Sequence, residues 1–134
     1  MNNRSFSNYA PLLIRIVIGI SFILHGIPKL TNLAGTTQFF SKVGIPMAGI
    51  AAPVIGILEV IGGLALILGL FVEIFSILLT LDMIGAILAA KSGKGWVGGF
   101  ELELLLGITA LSLLFSGPGA FSVTKGLLLK RSSI

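Results

Sequence analysis

Apolar residues fall into four long blocks, at approximately 10–30, 48–70, 72–90 and 100–116, separated by short polar or glycine-rich breaks. Each is near the ~20 residues a helix needs to cross hydrocarbon. Lipid offers no partner to a free N–H or C=O, so blocks of this length predict helices. The break at Phe71–Glu73 is only a residue or two long, which predicts a tight antiparallel hairpin. Short links throughout predict an all-α, four-helix transmembrane bundle of up-down topology, one domain over residues 1–134. Thr31–Pro46 breaks the pattern. Thr36 or Thr37 can cap a short helix there, Phe39, Phe40 and Val43 share a face, and Gly44-Ile45-Pro46 ends it. We read this segment as an amphipathic helix in the interface, the rival reading being a re-entrant lid.

Composition makes the membrane assignment firm. Of 134 residues, 55% are hydrophobic and only 10% charged, too few to coat a soluble domain. The chain has no cysteine, which excludes dithiol chemistry, cysteine-ligated clusters and disulfides within it. The net charge of +4 comes mostly from Arg4, Lys42, Lys91, Lys94, Lys125, Lys130 and Arg131, in loops and tail. Such dispersed charge suits anionic head groups of the lipid bilayer and does not suit nucleic acid. The first block is too long and too charged for a cleavable signal. The densest basic cluster is the tail, which places both termini in the cytoplasm of a multi-pass protein of the cell (inner) membrane. Gly56, Gly62, Gly63, Gly69, Gly85 and Gly107 within the blocks predict close helix contacts, and Trp96 an interfacial anchor.

The candidate chemistry is the charge inside the spans. The first carries Arg15, His25 and Lys29, and an ionised group at mid-bilayer costs about 2.5–3.5 kcal/mol. At roughly 100° per residue, Arg15, Phe22 and Lys29 fall almost in line with His25 nearby, so one face is polar and basic. Acids of the later spans can answer it: Glu59 and Asp82 near mid-span, and Glu101 and Glu103 at the start of the fourth. With the first two spans antiparallel, Glu59 lies level with Gly19–Phe22, which predicts the pairs Arg15–Glu59 and Lys29–Glu101 with His25 between them. Glu103 points about 200° from Glu101 and is assigned away from the seam. Asp82 is a candidate for a helix contact or a proton path. A metal site of His25, Glu59 and Glu101 is disfavoured, because Arg15 and Lys29 compete for the carboxylates. Haem is disfavoured as well, since a single histidine leaves only Met47 or Met83 as second ligand.

The run Arg15-x3-Gly19-x2-Phe22-x2-His25-Gly26-x2-Lys29-Leu30 resembles the first helix of the DoxX family of small four-helix membrane proteins. The resemblance continues through Phe39-Phe40-x3-Gly44-Ile45-Pro46, Glu59-x2-Gly62-Gly63, Gly69-Leu70, Gly98-Gly99-Phe100-Glu101 and Gly117-Pro118-Gly119-Ala120-Phe121-Ser122. The departure is Thr124, where an acid often stands in that family. The resemblance implies redox chemistry near quinones: an accessory or quinone-interacting component of a redox-stress or detoxification system. With no cofactor-binding motif in this chain, it would be at most one subunit of a quinone-linked oxidoreductase, beside redox-enzyme partner subunits. Arg15, His25 and Lys29 are then the expected donors to the ligand, Phe22 its ring contact, and Glu59 or Glu101 the proton exchanger. Two other classes compete, a scaffold whose charges specify assembly and a small-molecule or proton transporter. Four short spans bury little surface, so a homo- or hetero-oligomer is expected.

Overall fold

A computed structural model of the chain describes residues 6–133. Among the described residues the α-helices are, in order, α1 (Tyr9–Thr31), α2 (Leu33–Lys42), α3 (Ala48–Leu68), α4 (Val72–Ala86), α5 (Glu101–Ser116) and α6 (Val123–Ser132). A wider helical turn, Ile87–Lys91, extends α4, and Trp96–Phe100 leads into α5. Among the described residues, four segments are long and apolar enough to cross a membrane: Tyr9–Thr31, Ala48–Leu68, Val72–Lys91 and Trp96–Ser116. They match the four apolar blocks to within a few residues. No strand occurs among the described residues.

The breaks have local causes. Asn32 ends α1 and caps α2, its side chain accepting from the Gly35 N–H at 3.1 Å. The cap therefore lies a turn earlier than the predicted Thr36 or Thr37, because an Asx side chain reaches the third amide ahead of it. Gly69, at φ +72°, closes α3 by donating to Ala65 and Leu66 carbonyls, and the chain turns through Phe71 into α4. This is the tight hairpin expected from the short break.

Glycines set how closely the helices approach. A methyl group on Gly19 of α1 would stand 2.6 Å from the Gly63 carbonyl oxygen of α3, and one on Gly63 would stand 2.5 Å from the Gly19 oxygen. Backbone meets backbone at this crossing, which fixes the register of α1 against α3. Farther along, Gly26 lies on Glu59 and Val60, and Gly56 on Leu30. Helices α1 and α3 form one closely packed pair and α4 and α5 the other, with sparser packing between the pairs. Between them lies a core of Ile18, Phe22, Leu66, Val72, Leu79, Met83, Leu106, Ala110 and Leu113. Leu13, Val17, Leu24, Val54, Leu81, Leu105 and Ile108 point outward, an apolar girdle suited to lipid.

The last helix, α6, was not anticipated from the sequence. Residues 117–122 fold back across the ends of α1 and α3: Ala120 N–H donates to the Asn8 carbonyl at 2.9 Å, and the Ser122 hydroxyl to the Gly69 carbonyl at 2.9 Å. Ser122 then caps α6 by accepting from the Lys125 N–H. Thr124 accepts from the Phe71 N–H at 2.9 Å, so its hydroxyl ties α6 to the hairpin.

Candidate functional site

The line of polar residues on α1 serves two different ends of the bundle. Arg15 and Lys29 are fourteen residues apart, roughly 21 Å along a helix, so alignment on one face does not bring them together. Arg15 is fully buried at the end where the C-terminal segment docks. Its Nη1 donates to the Pro118 carbonyl and its Nη2 to the Phe121 carbonyl at 3.1 Å. The predicted Arg15–Glu59 pair does not form. The Gly19–Gly63 crossing sets Glu59 beside Gly26, about a turn beyond the Gly19–Phe22 level expected, and Arg15 beside Gly69. The guanidinium, with donors in a planar fork, instead fastens a loop of exposed carbonyls.

At the other end, Lys29 Nζ stands 2.8 Å from Glu59 Oε2 and 3.2 Å from the His25 carbonyl oxygen. This replaces the predicted Lys29–Glu101 pair. The Glu59 side chain is 2% exposed and that of Lys29 26%, so the carboxylate is inside the bundle and the lysine reaches in from the rim. Asp82 of α4 stands within hydrogen-bonding reach of Glu59. Two carboxylates and one ammonium are thus gathered on three helices.

Beside this cluster a cavity of about 510 Å³ opens between the two helix pairs. Phe22, Leu58, Met83, Ala86 and Leu106 supply apolar wall, and His25, Lys29, Glu59 and Asp82 polar groups. Helix α2 and the turn after it form the end wall through Phe39, Phe40 and Ile45. Phe40 is 6% exposed, so this helix closes the cavity as well as lying at the bundle's end. Leu78 and Leu81, which face outward, stand at the rim, giving the cavity a side facing lipid. His25 borders both this cavity and a shallower depression with Leu24, Asn32 and Thr36. Its ring makes no hydrogen bond among the described residues.

A second ion pair completes the wall. Lys91, at the end of the turn that widens α4, lies 3.5 Å from Glu103 Oε1 of α5, and both line the cavity. Of the two acids opening α5, Glu103 therefore faces inward and Glu101 does not, the reverse of the assignment made from the sequence. The two acids do lie on different faces of α5, as the roughly 200° between them requires. The expected Lys29–Glu101 pair follows from the fourth span starting where the first ends; Lys91, read from the sequence as a loop cation, instead holds Glu103 at the cavity wall. Of the predicted site residues, Phe22, His25, Lys29, Glu59 and Asp82 come together, whereas Arg15 and Glu101 lie elsewhere.

The DoxX family profile matches residues 10–92. A Bacillus subtilis protein named "Putative oxidoreductase CatD" is 37% identical over 115 residues, covering 86% of this chain and 84% of that one. An uncharacterized membrane protein of Mycobacterium tuberculosis is 32% identical over 131 residues, covering 85% of this chain and 78% of its own. The inner membrane protein YphA of Escherichia coli is 26% identical over 122 residues, covering 85% and 87%. No solved structure matches the chain significantly.

Proposed function

The chain belongs to the DoxX family of multi-pass membrane proteins, and on that footing we propose that its cavity binds the head group of a membrane-soluble quinone or related redox-active arene. It does so as an accessory component of an oxidoreductase or quinone-detoxification system. The observation that carries this reading is the cavity itself: about 510 Å³, walled by Phe22, Phe40 and Met83, floored by Lys29, Glu59 and Asp82, and rimmed by lipid-facing Leu78 and Leu81. That volume suits a substituted single ring. A ligand dissolved in the bilayer reaches the rim without crossing water. His25, whose ring is uncommitted, stands where it can donate to one oxygen of the ring, and Lys29 retains hydrogen-bonding capacity beyond its two contacts. The cavity supplies donors and acids, and a partner subunit or bound cofactor would carry the electrons. The name of the Bacillus subtilis relative supports a redox role. The protein sits in the cell (inner) membrane with both termini in the cytoplasm.

The test is a titration of purified protein in detergent with a short-chain ubiquinone or menaquinone analogue, read by quenching of Trp96. Saturable binding, weakened in His25→Ala while thermal unfolding is unchanged, is the expected result. No binding by folded wild-type protein overturns the proposal.

A second reading, a small-molecule or proton pathway, is favoured by the contact between Asp82 and Glu59 in mid-bundle. It predicts that Asp82→Asn abolishes flux in proteoliposomes while ligand binding survives.

A further inference from the structure

No residue of helix α6 is buried, although Leu127, Leu128 and Leu129 fill one of its turns. These leucines are 60–64% exposed, and the way α6 is tied to the bundle sets their depth. Thr124 Oγ1 accepts from the Phe71 N–H, and the Thr124 N–H donates to the Gly69 carbonyl at 3.2 Å. Helix α6 therefore starts at the hairpin where spans α3 and α4 end. At about 1.5 Å of rise per residue, the leucines lie roughly 5–8 Å of helix beyond Thr124. The head-group layer outside the hydrocarbon is about as thick, roughly 5–8 Å on each side. The leucines therefore lie no farther out than the head groups, however α6 is inclined. Phe121, also exposed, stands at the same boundary with its ring 6.5 Å from that of Tyr9.

The order of the residues says what covers them. Three consecutive helical positions point over an arc of about 200°. A groove on a protein partner takes one face of a helix, read as anchors at i, i+3 and i+4, and leaves part of such an arc in water. A fluid leaflet surrounds all of it. Charge narrows the choice of leaflet. Lys125 precedes the leucines, Lys130 and Arg131 follow them, and the chain carries no acid after Glu103. All three cations are exposed and form no ion pair among the described residues. We propose that α6 is seated in the head-group layer of an anionic leaflet, with its leucines at the acyl boundary and Lys125, Lys130 and Arg131 reaching along their stems to lipid phosphates. The leucines alone would seat in any leaflet, and the cations make the seating depend on its charge. A helix of this length is marginal in water by itself, so the same lipid also holds α6 in shape.

The chain has no cysteine, so Leu127→Cys, Leu128→Cys and Leu129→Cys can each carry a single bimane label. The labelled full-length proteins are placed in nanodiscs of phosphatidylcholine alone or mixed with phosphatidylglycerol. The expected result is blue-shifted emission at all three positions in the anionic discs, quenched by lipids spin-labelled near the head group. It should revert toward the value in water in the neutral discs or at high salt. Tryptic cleavage after Lys125, Lys130 and Arg131 of the unlabelled protein should be about tenfold or more slower in the anionic discs. With Lys125→Gln, Lys130→Gln and Arg131→Gln combined, the label should read alike in the two lipids. Water-like emission at all three positions in the anionic discs overturns the proposal. A blue shift equal in both lipids and indifferent to salt overturns the role of charge. A shift confined to one or two of the three positions is a one-sided protein contact, and overturns the lipid seat as well. All substituted positions are exposed, so the bundle folds in every variant and each outcome decides.

Discussion

Replacing Lys29 by methionine removes the cation paired with Glu59, a carboxylate whose side chain is 2% exposed. Methionine keeps most of the stem, so packing against Gly56, where the Lys29 Cβ lies, is largely preserved. What changes is electrostatic: Glu59 and its neighbour Asp82 are left without the ammonium 2.8 Å away. Breaking a buried pair by deleting one partner costs about 3–5 kcal/mol. The lysine is 26% exposed and the pair sits toward one end of the bundle, so the lower figure, about 3 kcal/mol, applies. The double variant Lys29→Met/Glu59→Gln removes the stranded charge and should recover all but about 1 kcal/mol, because a neutral amide tolerates burial beside Asp82. The assay is SDS titration of the folded protein in mixed micelles, followed by circular dichroism. Should Lys29→Met cost less than about 1 kcal/mol, or the double variant be no more stable than the single, the pair is not a buried ion pair in the sense argued.

Arg15→Met frees the Pro118 and Phe121 carbonyls of their donors, so limited proteolysis within 117–133 should accelerate at least tenfold while ligand affinity at the other end stays unchanged. Gly63→Ala drives a methyl group to 2.5 Å from the Gly19 oxygen and should cost several kcal/mol in the same SDS titration. Gly49→Ala, where nothing lies within 4 Å of the added carbon, should stabilise by about 0.5–1 kcal/mol. Phe40→Ala opens the end wall of the cavity and should raise the ligand dissociation rate about tenfold or more, measured by stopped-flow recovery of Trp96 fluorescence.

The spans were legible because lipid imposes a length and a composition on any helix that crosses it, and the blocks around Gly19, Glu59, Asp82 and Gly107 meet both. The hairpin at Phe71 was legible from its brevity. The ion pairs were not. Partner choice depends on axial register, and register here is set by two facing glycines, Gly19 and Gly63, whose contact leaves no mark on periodicity. A slip of one turn was enough to exchange the partner of Glu59 from Arg15 to Lys29. The role of Arg15 was hidden for a related reason: its acceptors are backbone carbonyls a hundred residues downstream, and carbonyls are carried by every residue alike. Helix α6 escaped notice because it does not span the membrane. Its signal is the Ser122 cap, which is local, and its anchor is the Thr124 hydroxyl, which is not.

Photolabelling tests the central claim most directly. An azido-quinone is irradiated with the protein in lipid nanodiscs, and the modified peptides are mapped by mass spectrometry with and without excess unlabelled ligand. The account predicts competed labelling within residues 22–29, 39–45, 51–59, 78–91 and 102–106, the stretches that line the cavity. Competed labelling confined to the Arg15 end, around 117–122, or labelling that excess ligand does not displace, would contradict it.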